Sequence, residues 1–185
     1  IGQGYNKFTP LQMTKYISMI ANGGKNIDVS IIKTIQNPDG TEVSKEEINE
    51  FVNKKLGLTD NTQSEDITLN SEYLKVVKEG MKSVTSGESG TAYVRFKDFD
   101  IKVGGKTGSA EAGKDKNNRD IVNAWFAAFA PYDDPEIAVV VMVENGGHGN
   151  YTAEAVRNIM AEYFGMNTQN VTEDMKAISY TESIR

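Results

Sequence analysis

Seven consecutive apolar residues, Ile137-Ala138-Val139-Val140-Val141-Met142-Val143, constrain the fold of this 185-residue chain more than any other stretch. Successive side chains of a strand point to opposite faces, so a strand with one wet face alternates apolar and polar residues. A run of this length without alternation predicts a strand covered on both faces. Two further strand-like runs precede it, at 100–109 and 121–130. The second and third runs are joined by Pro131-Tyr132-Asp133-Asp134-Pro135, which suits an antiparallel hairpin with a short loop. The expected architecture is α+β: three adjacent antiparallel strands within a largely antiparallel sheet sandwiched between helices.

The helices announce themselves by their starts. Thr9 can cap, Pro10 suits the first helical position, and Gln12 completes a capping box. Met13, Tyr16, Ile17 and Ile20 then share one face, and Asn22-Gly23-Gly24 ends the helix; Phe8 and Met13 have the spacing of a hydrophobic staple. Ser44 with Glu47 forms a second capping box ahead of Ile48, Phe51, Val52 and Leu56. Asn70 can cap a third helix whose buried stripe is Leu74, Val77, Met81 and Val84. A last helix is expected over 152–164, with Val156, Ile159, Met160 and Tyr163 inward and Gly165 as its stop. Between the first two helices, residues 29–35 are β-branched and read as a strand turning at Asn37-Pro38-Asp39-Gly40.

Composition closes several routes. Net charge is −6 with pI near 4.9 and no basic patch, which argues against nucleic acid as a partner. The absence of cysteine excludes disulfides, thiolate chemistry and a zinc ribbon. No apolar run approaches the ~18 residues of a membrane span, and no signal-peptide pattern opens the chain. The chain begins at Ile1 and helix signals follow within ten residues, which reads as a piece of a longer protein. Residues 1–165 form the expected folded part, and 166–185 read as a polar tail. The single histidine, His148, sits in Gly146-Gly147-His148-Gly149-Asn150 and reads as solvated. No metal or cofactor is called for.

The chemistry-bearing stretch is Val103-Gly104-Gly105-Lys106-Thr107-Gly108-Ser109. It places an ammonium, two hydroxyls and backbone N–H groups at a strand edge, a combination suited to a carboxylate or a developing oxyanion. Flanking glycines leave the backbone approachable. Taken alone, Lys-Thr-Gly also reads as a turn at a strand end. A phosphate-loop reading fails at a fixed position: the motif needs glycine five residues before Gly105, and Asp100 stands there. Ser86-Gly87-Glu88-Ser89-Gly90 is rejected as a phosphate cradle too, since a helix precedes it and a strand is expected after it.

Lys106-Thr107-Gly108 matches the third motif of penicillin-binding proteins and class A β-lactamases. Ile1-Gly2-Gln3-Gly4, Thr9-Pro10-Leu11-Gln12, Ala21-Asn22-Gly23-Gly24, Gly90-Thr91-Ala92 and Ala124-Trp125-Phe126 accompany it. Together they resemble, in order, the C-terminal half of the transpeptidase domain of class B penicillin-binding proteins. That resemblance implies a serine acyl-transfer enzyme that cross-links D-Ala-D-Ala stem peptides of peptidoglycan and is acylated by β-lactams. It implies that Lys106 adds positive potential around the nucleophile and substrate. Thr107 and Ser109 would hold the substrate carboxylate, the Ser109 N–H would donate to the oxyanion, and Gly105 and Gly108 would keep the edge open. The catalytic set is thus Lys106 and Ser109, and the substrate-binding set Lys106, Thr107, Gly108 and Ser109. Glu111 and Trp125 read as structural.

The family's other two motifs are missing. No Ser-x-Asn triplet occurs, and the one Ser-x-x-Lys match, Ser30 to Lys33, falls on an expected strand, where residues three apart point to opposite faces. The nucleophile is therefore expected upstream of Ile1, and the isolated chain is expected to be inactive. The resemblance further implies an N-terminal membrane anchor, a site on the outer face of the cytoplasmic membrane, and partners in cell-wall elongation or division. The alternative is a non-catalytic penicillin-recognising sensor or scaffold module of the same fold.

Overall fold

The computed structural model describes residues 4–27, 29, 32–57 and 70–166. Its elements are α1 (Pro10–Ala21), α2 (Lys45–Leu56), α3 (Ser71–Ser86), α4 (Tyr93–Phe96), β1 (Gly104–Lys114), β2 (Asp120–Ala130), β3 (Ile137–Val143) and α5 (Thr152–Tyr163). The strands form one antiparallel sheet in the order β1-β2-β3. Thr107 lies opposite Phe126, which lies opposite Val141; Lys106 lies opposite Ala127, which lies opposite Val140.

Alternation along β2 builds two cores. Phe126, Ala128 and Ala130 face one way, against Val156 and Met160 of α5 and Phe96 of α4. Ala127 and Phe129 face the other way, against Ile17 and Ile20 of α1 and Met81 of α3. β3 divides likewise, with Val139 and Val141 in the first core and Ala138 and Val140 packed on the second. The apolar run at 137–143 is thus packed on both faces, with Val139 buried, its neighbours half-buried and Val143 exposed at the end, and the sheet lies between helix layers as the sequence indicates. Full burial of one large apolar side chain, as at Phe126, Phe129, Val156 or Met160, contributes roughly 1.5–3 kcal/mol.

Local signals set the helix starts. The Thr9 hydroxyl accepts from the Gln12 N–H at 3.2 Å while Gln12 Oε1 accepts from the Thr9 N–H at 2.9 Å. Ser44 and Glu47 repeat the arrangement at 3.2 Å each way. Asn70 Oδ1 accepts from the N–H groups of Glu72 and Tyr73. Gly165, at φ +65°, lets the chain leave α5 in the left-handed conformation, and the Met166 N–H then bonds back to Ala161 O at 2.8 Å.

Several expectations are corrected. The first strand spans Gly104–Lys114, not 100–109. Upstream of Gly104 the carbonyls are already taken: Val103 O accepts from the Thr85 hydroxyl at 2.6 Å, and Lys102 O from the Tyr132 N–H at 2.8 Å. Downstream, the polar stretch tightens into a turn around Asp115, so the ladder continues to Lys114. A helical turn, α4, follows the glycine-rich loop where a strand was expected, its Lys97 N–H bonded to Tyr93 O at 2.8 Å and its flanking Ala92 and Phe96 buried. No strand forms over 32–35. A single bridge joins Gln36 to Glu42 around the expected turn, and Ile32 and Ile35 stay exposed.

The helical stripes were right in side but not in rotation. Tyr16, Val77, Ile159 and Tyr163 are exposed, as are Phe51 and Leu56 on α2, while Ala21, Thr85, Ala153 and Ala161 are buried instead. Small residues allow a helix to sit close to the sheet, and that choice of contact line depends on the facing surface rather than on the helix's own periodicity. Residues 167–185, together with Ser30 and Ile31, lie outside the described residues.

Candidate active site

The site is built from the start of β1 outward. A Cβ on Gly104 would stand 2.5 Å from the Phe129 ring, and one on Gly105 would stand 2.6 Å from the Phe126 ring. The two rings belong to opposite cores, so the Gly104-Gly105 pair lets aromatic side chains on both faces of the sheet lie over β1. The missing side chain of Gly105 therefore makes room for the core. Past these glycines, Lys106 is the first side chain to emerge.

β2 occupies one edge of β1, and among the described residues no strand pairs with the other. Lys106 shares its face with Ala127 on the α1/α3 side; Thr107 and Ser109 lie on the opposite face, across from Phe126 and Ala124. The Lys106 ammonium donates to the Thr107 carbonyl at 2.7 Å. Thr107 Oγ1 lies 3.0 Å from Thr91 Oγ1. Ser109 Oγ accepts from the Gly149 N–H at 3.4 Å, a long bond. Gly149 is itself buried against the strand, and a Cβ there would meet Gly108 O and Trp125 O at 2.4 Å.

A cleft of about 630 Å³ opens between the C-terminal end of α3, the loop that follows it and β1. Ser83, Val84, Glu88, Thr91, Lys106 and Thr107 help line it. A neighbouring apolar groove of about 390 Å³ runs between α1 and α3, past Tyr16, Ile20, Val77 and Met81, and ends at Lys106 as well. Lys106 thus stands where the cleft meets an apolar groove, with Thr107 beside it in the cleft lining. A cation and a hydroxyl beside an open strand edge form an arrangement that can hold a carboxylate by charge-assisted hydrogen bonds. His148 is exposed, and among the described residues no group of three His, Cys, Asp or Glu is placed to hold a metal.

Two participants carried no assigned role in the sequence reading. Thr91 lies 16 positions from Thr107, and only the packing of the α3–α4 loop brings them together. The glycine-rich loop at 146–150 drew notice for its histidine, whereas the contact with β1 is made by the backbone of Gly149.

Residues 1–161 match the penicillin binding protein transpeptidase domain. The chain belongs to this family. It is 31% identical over 177 residues to the peptidoglycan D,D-transpeptidase MrdA of Haemophilus influenzae, covering 89% of this chain and 25% of that protein. A crystal structure of Pseudomonas aeruginosa PBP2 in complex with WCK 5153 superposes with a TM-score of 0.68 at 32% identity, over 88% of this chain and 32% of that one. PBP2 of Helicobacter pylori, solved in complex with MreC, gives a TM-score of 0.57 at 26% identity, over 89% and 26% of the two chains. The resemblance to class B penicillin-binding D,D-transpeptidases is borne out, and so is the transpeptidase fold. The chain spans about a quarter of the length of the curated relatives it matches.

Proposed function

We propose that β1 is one wall of the active site of a serine acyl-transferase that cross-links peptidoglycan stem peptides. In this reading a serine attacks the penultimate carbonyl of a D-Ala-D-Ala stem and the terminal alanine leaves. The acyl group then passes to an amine on a neighbouring stem. β-Lactams mimic the dipeptide and leave a slowly hydrolysed acyl-enzyme. Lys106 supplies positive potential toward nucleophile and substrate. The hydroxyls of Thr107 and Ser109 hold the terminal carboxylate, with Gly108 between them keeping the strand edge approachable. The Ser109 N–H is one of the two oxyanion donors.

The observation that carries this reading is the Lys106-Thr107-Gly108-Ser109 run on the edge of β1 that no strand among the described residues pairs with, its Lys106 and Thr107 lining a cleft, in a chain of the penicillin-binding family. The nucleophile, its lysine and the Ser-x-Asn element belong, in this proposal, to the part of the relatives' length that this chain does not span. The apolar groove beside Lys106 is then the seat for part of that remainder. The Helicobacter pylori complex with MreC supports a working place in a cell-wall elongation assembly. Attachment to the outer face of the cytoplasmic membrane would rest on an anchor elsewhere in the protein. Among the described residues no helix is long and apolar enough to cross a membrane.

Lys106→Ala in the full-length protein tests the reading. Loss of one preorganised donor in an acyl-transfer site costs on the order of a hundredfold or more. Penicillin acylation, followed by stopped-time labelling, is expected to fall at least about a hundredfold. Wild-type rates in the variant would remove Lys106 from the site. A full-length protein with no Ser-x-x-Lys at a helix start would move the reading to a non-catalytic penicillin-recognising module.

A further inference from the structure

We propose that Thr91 is a positioning residue that fixes the polarity of the Thr107 hydroxyl, donating to it so that the proton of Thr107 is free to point at a carboxylate in the cleft. The inference rests on the active-site reading above and adds a residue to it. Thr91 Oγ1 and Thr107 Oγ1 are 3.0 Å apart, and both residues line the same cleft. Each hydroxyl carries one proton and can accept as well. If Thr107 donates to Thr91, its only proton is spent and it presents lone pairs to an incoming carboxylate, which is repulsive. If Thr91 donates, Thr107 becomes the middle of a chain that runs from Thr91 through Thr107 to the carboxylate, in which each bond polarises the next. An anion in the cleft selects the second arrangement.

Thr91 is held in place for this task by its backbone. The Ala92 N–H bonds to Val84 O at 3.0 Å and the Tyr93 N–H to Gly90 O at 3.0 Å, with Ala92 itself 1% exposed. Gly90 lies so close to the end of α3 that a Cβ would meet Ser83 O at 2.4 Å and Val84 O at 2.5 Å. The same end of α3 is tied to the start of β1 through the Thr85 hydroxyl and Val103 O at 2.6 Å. Helix end, loop and strand are thereby linked across the gap that the two threonines bridge. The Thr91 side chain is exposed, so its replacement leaves no cavity in the core. Among the described residues its hydroxyl has Thr107 as its hydrogen-bond partner.

The test uses the full-length protein and penicillin, with acylation rate measured against penicillin concentration so that the half-saturating concentration and the limiting rate separate. Thr91→Val keeps the shape and removes the donor. It is expected to raise the half-saturating concentration about tenfold, as weakening of one hydrogen bond to a charged group does, with the limiting rate within about twofold. Thr91→Ser restores the donor and is expected to return both constants to near wild type. In a Thr107→Val background, Thr91→Val is expected to add nothing, since the effect passes through Thr107. A Thr91→Val protein with wild-type constants, a Thr91→Ser protein as impaired as Thr91→Val, or full additivity with Thr107→Val would each overturn the proposal. Lys106→Ala run in parallel separates the two layers. Wild-type acylation there sinks the active-site reading itself, whereas impaired Lys106→Ala beside unimpaired Thr91→Val sinks only the role of Thr91.

Discussion

A methyl group at position 149 would sit 2.4 Å from the carbonyl oxygens of Gly108 and Trp125, distances that backbone cannot relieve by a rotamer change. Gly149 is thus the point where the 146–150 loop leans on β1, next to the Ser109 hydroxyl that its N–H contacts. Gly149→Ala is expected to cost about 1–3 kcal/mol of stability, in the range of core overpacking, and to displace the strand that carries Lys106 and Ser109. Chemical denaturation of the full-length protein, paired with penicillin acylation, measures both effects. Unchanged stability together with unchanged acylation would show that the loop yields without consequence. Gly104 and Gly105 follow the same logic under the rings of Phe129 and Phe126, one from each core.

At the scale of the element, the β1–β2 hairpin turns around the Asp115 carboxylate, with a second carboxylate, Asp120, paired to Lys114 at 2.7 Å where the ladder ends. Asp115 accepts from the Arg119 N–H at 2.9 Å, the Asn117 N–H at 2.8 Å and Arg119 Nε at 2.8 Å. The backbone bond from Arg119 does most to hold the Asp115 carboxyl below its ordinary value, with desolvation opposing it. A depressed folded value stabilises the turn at pH above the unfolded value near 4, and that contribution is lost as pH falls through the folded value. The Asp115 carboxyl is therefore expected to titrate below the ordinary aspartate value, followed by NMR, with amide protection at residues 111–120 declining over the same acidic range. A midpoint at or above that value would show that the carboxylate does not organise the turn. The helix starts belong to this scale too, since each capping bond joins residues at most three positions apart and owes nothing to the rest of the fold.

Across the whole molecule, β2 is the axis: its residues 126–130 are buried on alternating faces, and both cores and the edge strand depend on it. The cleft and the apolar groove meet at Lys106, and among the described residues no helix brings a Ser-x-x-Lys pair to that junction. Incubated with excess penicillin, the 185-residue chain is expected to show no covalent adduct by intact mass. A stoichiometric adduct would place the nucleophile within it, with Ser30 as the first suspect. The sequence alone determined what is local or periodic. That includes the capped starts of α1, α2 and α3, the hairpin around Pro131, the strand covered on both faces at 137–143, and the Lys106-Thr107-Gly108-Ser109 run that marked the family. Tertiary structure decided the rest. The strand began at Gly104 because Val103 O and Lys102 O were already engaged by Thr85 and by Tyr132. Helices α1, α3 and α5 turn the small residues Ala21, Thr85, Ala153 and Ala161 into the packed interior. Thr91 and Gly149 reached the site only because loops 16 and 40 positions away in sequence from their partners pack there. Short-range hydrogen bonds and side-chain period are written in neighbouring residues, whereas contacts between distant segments exist only once both cores have closed on β2.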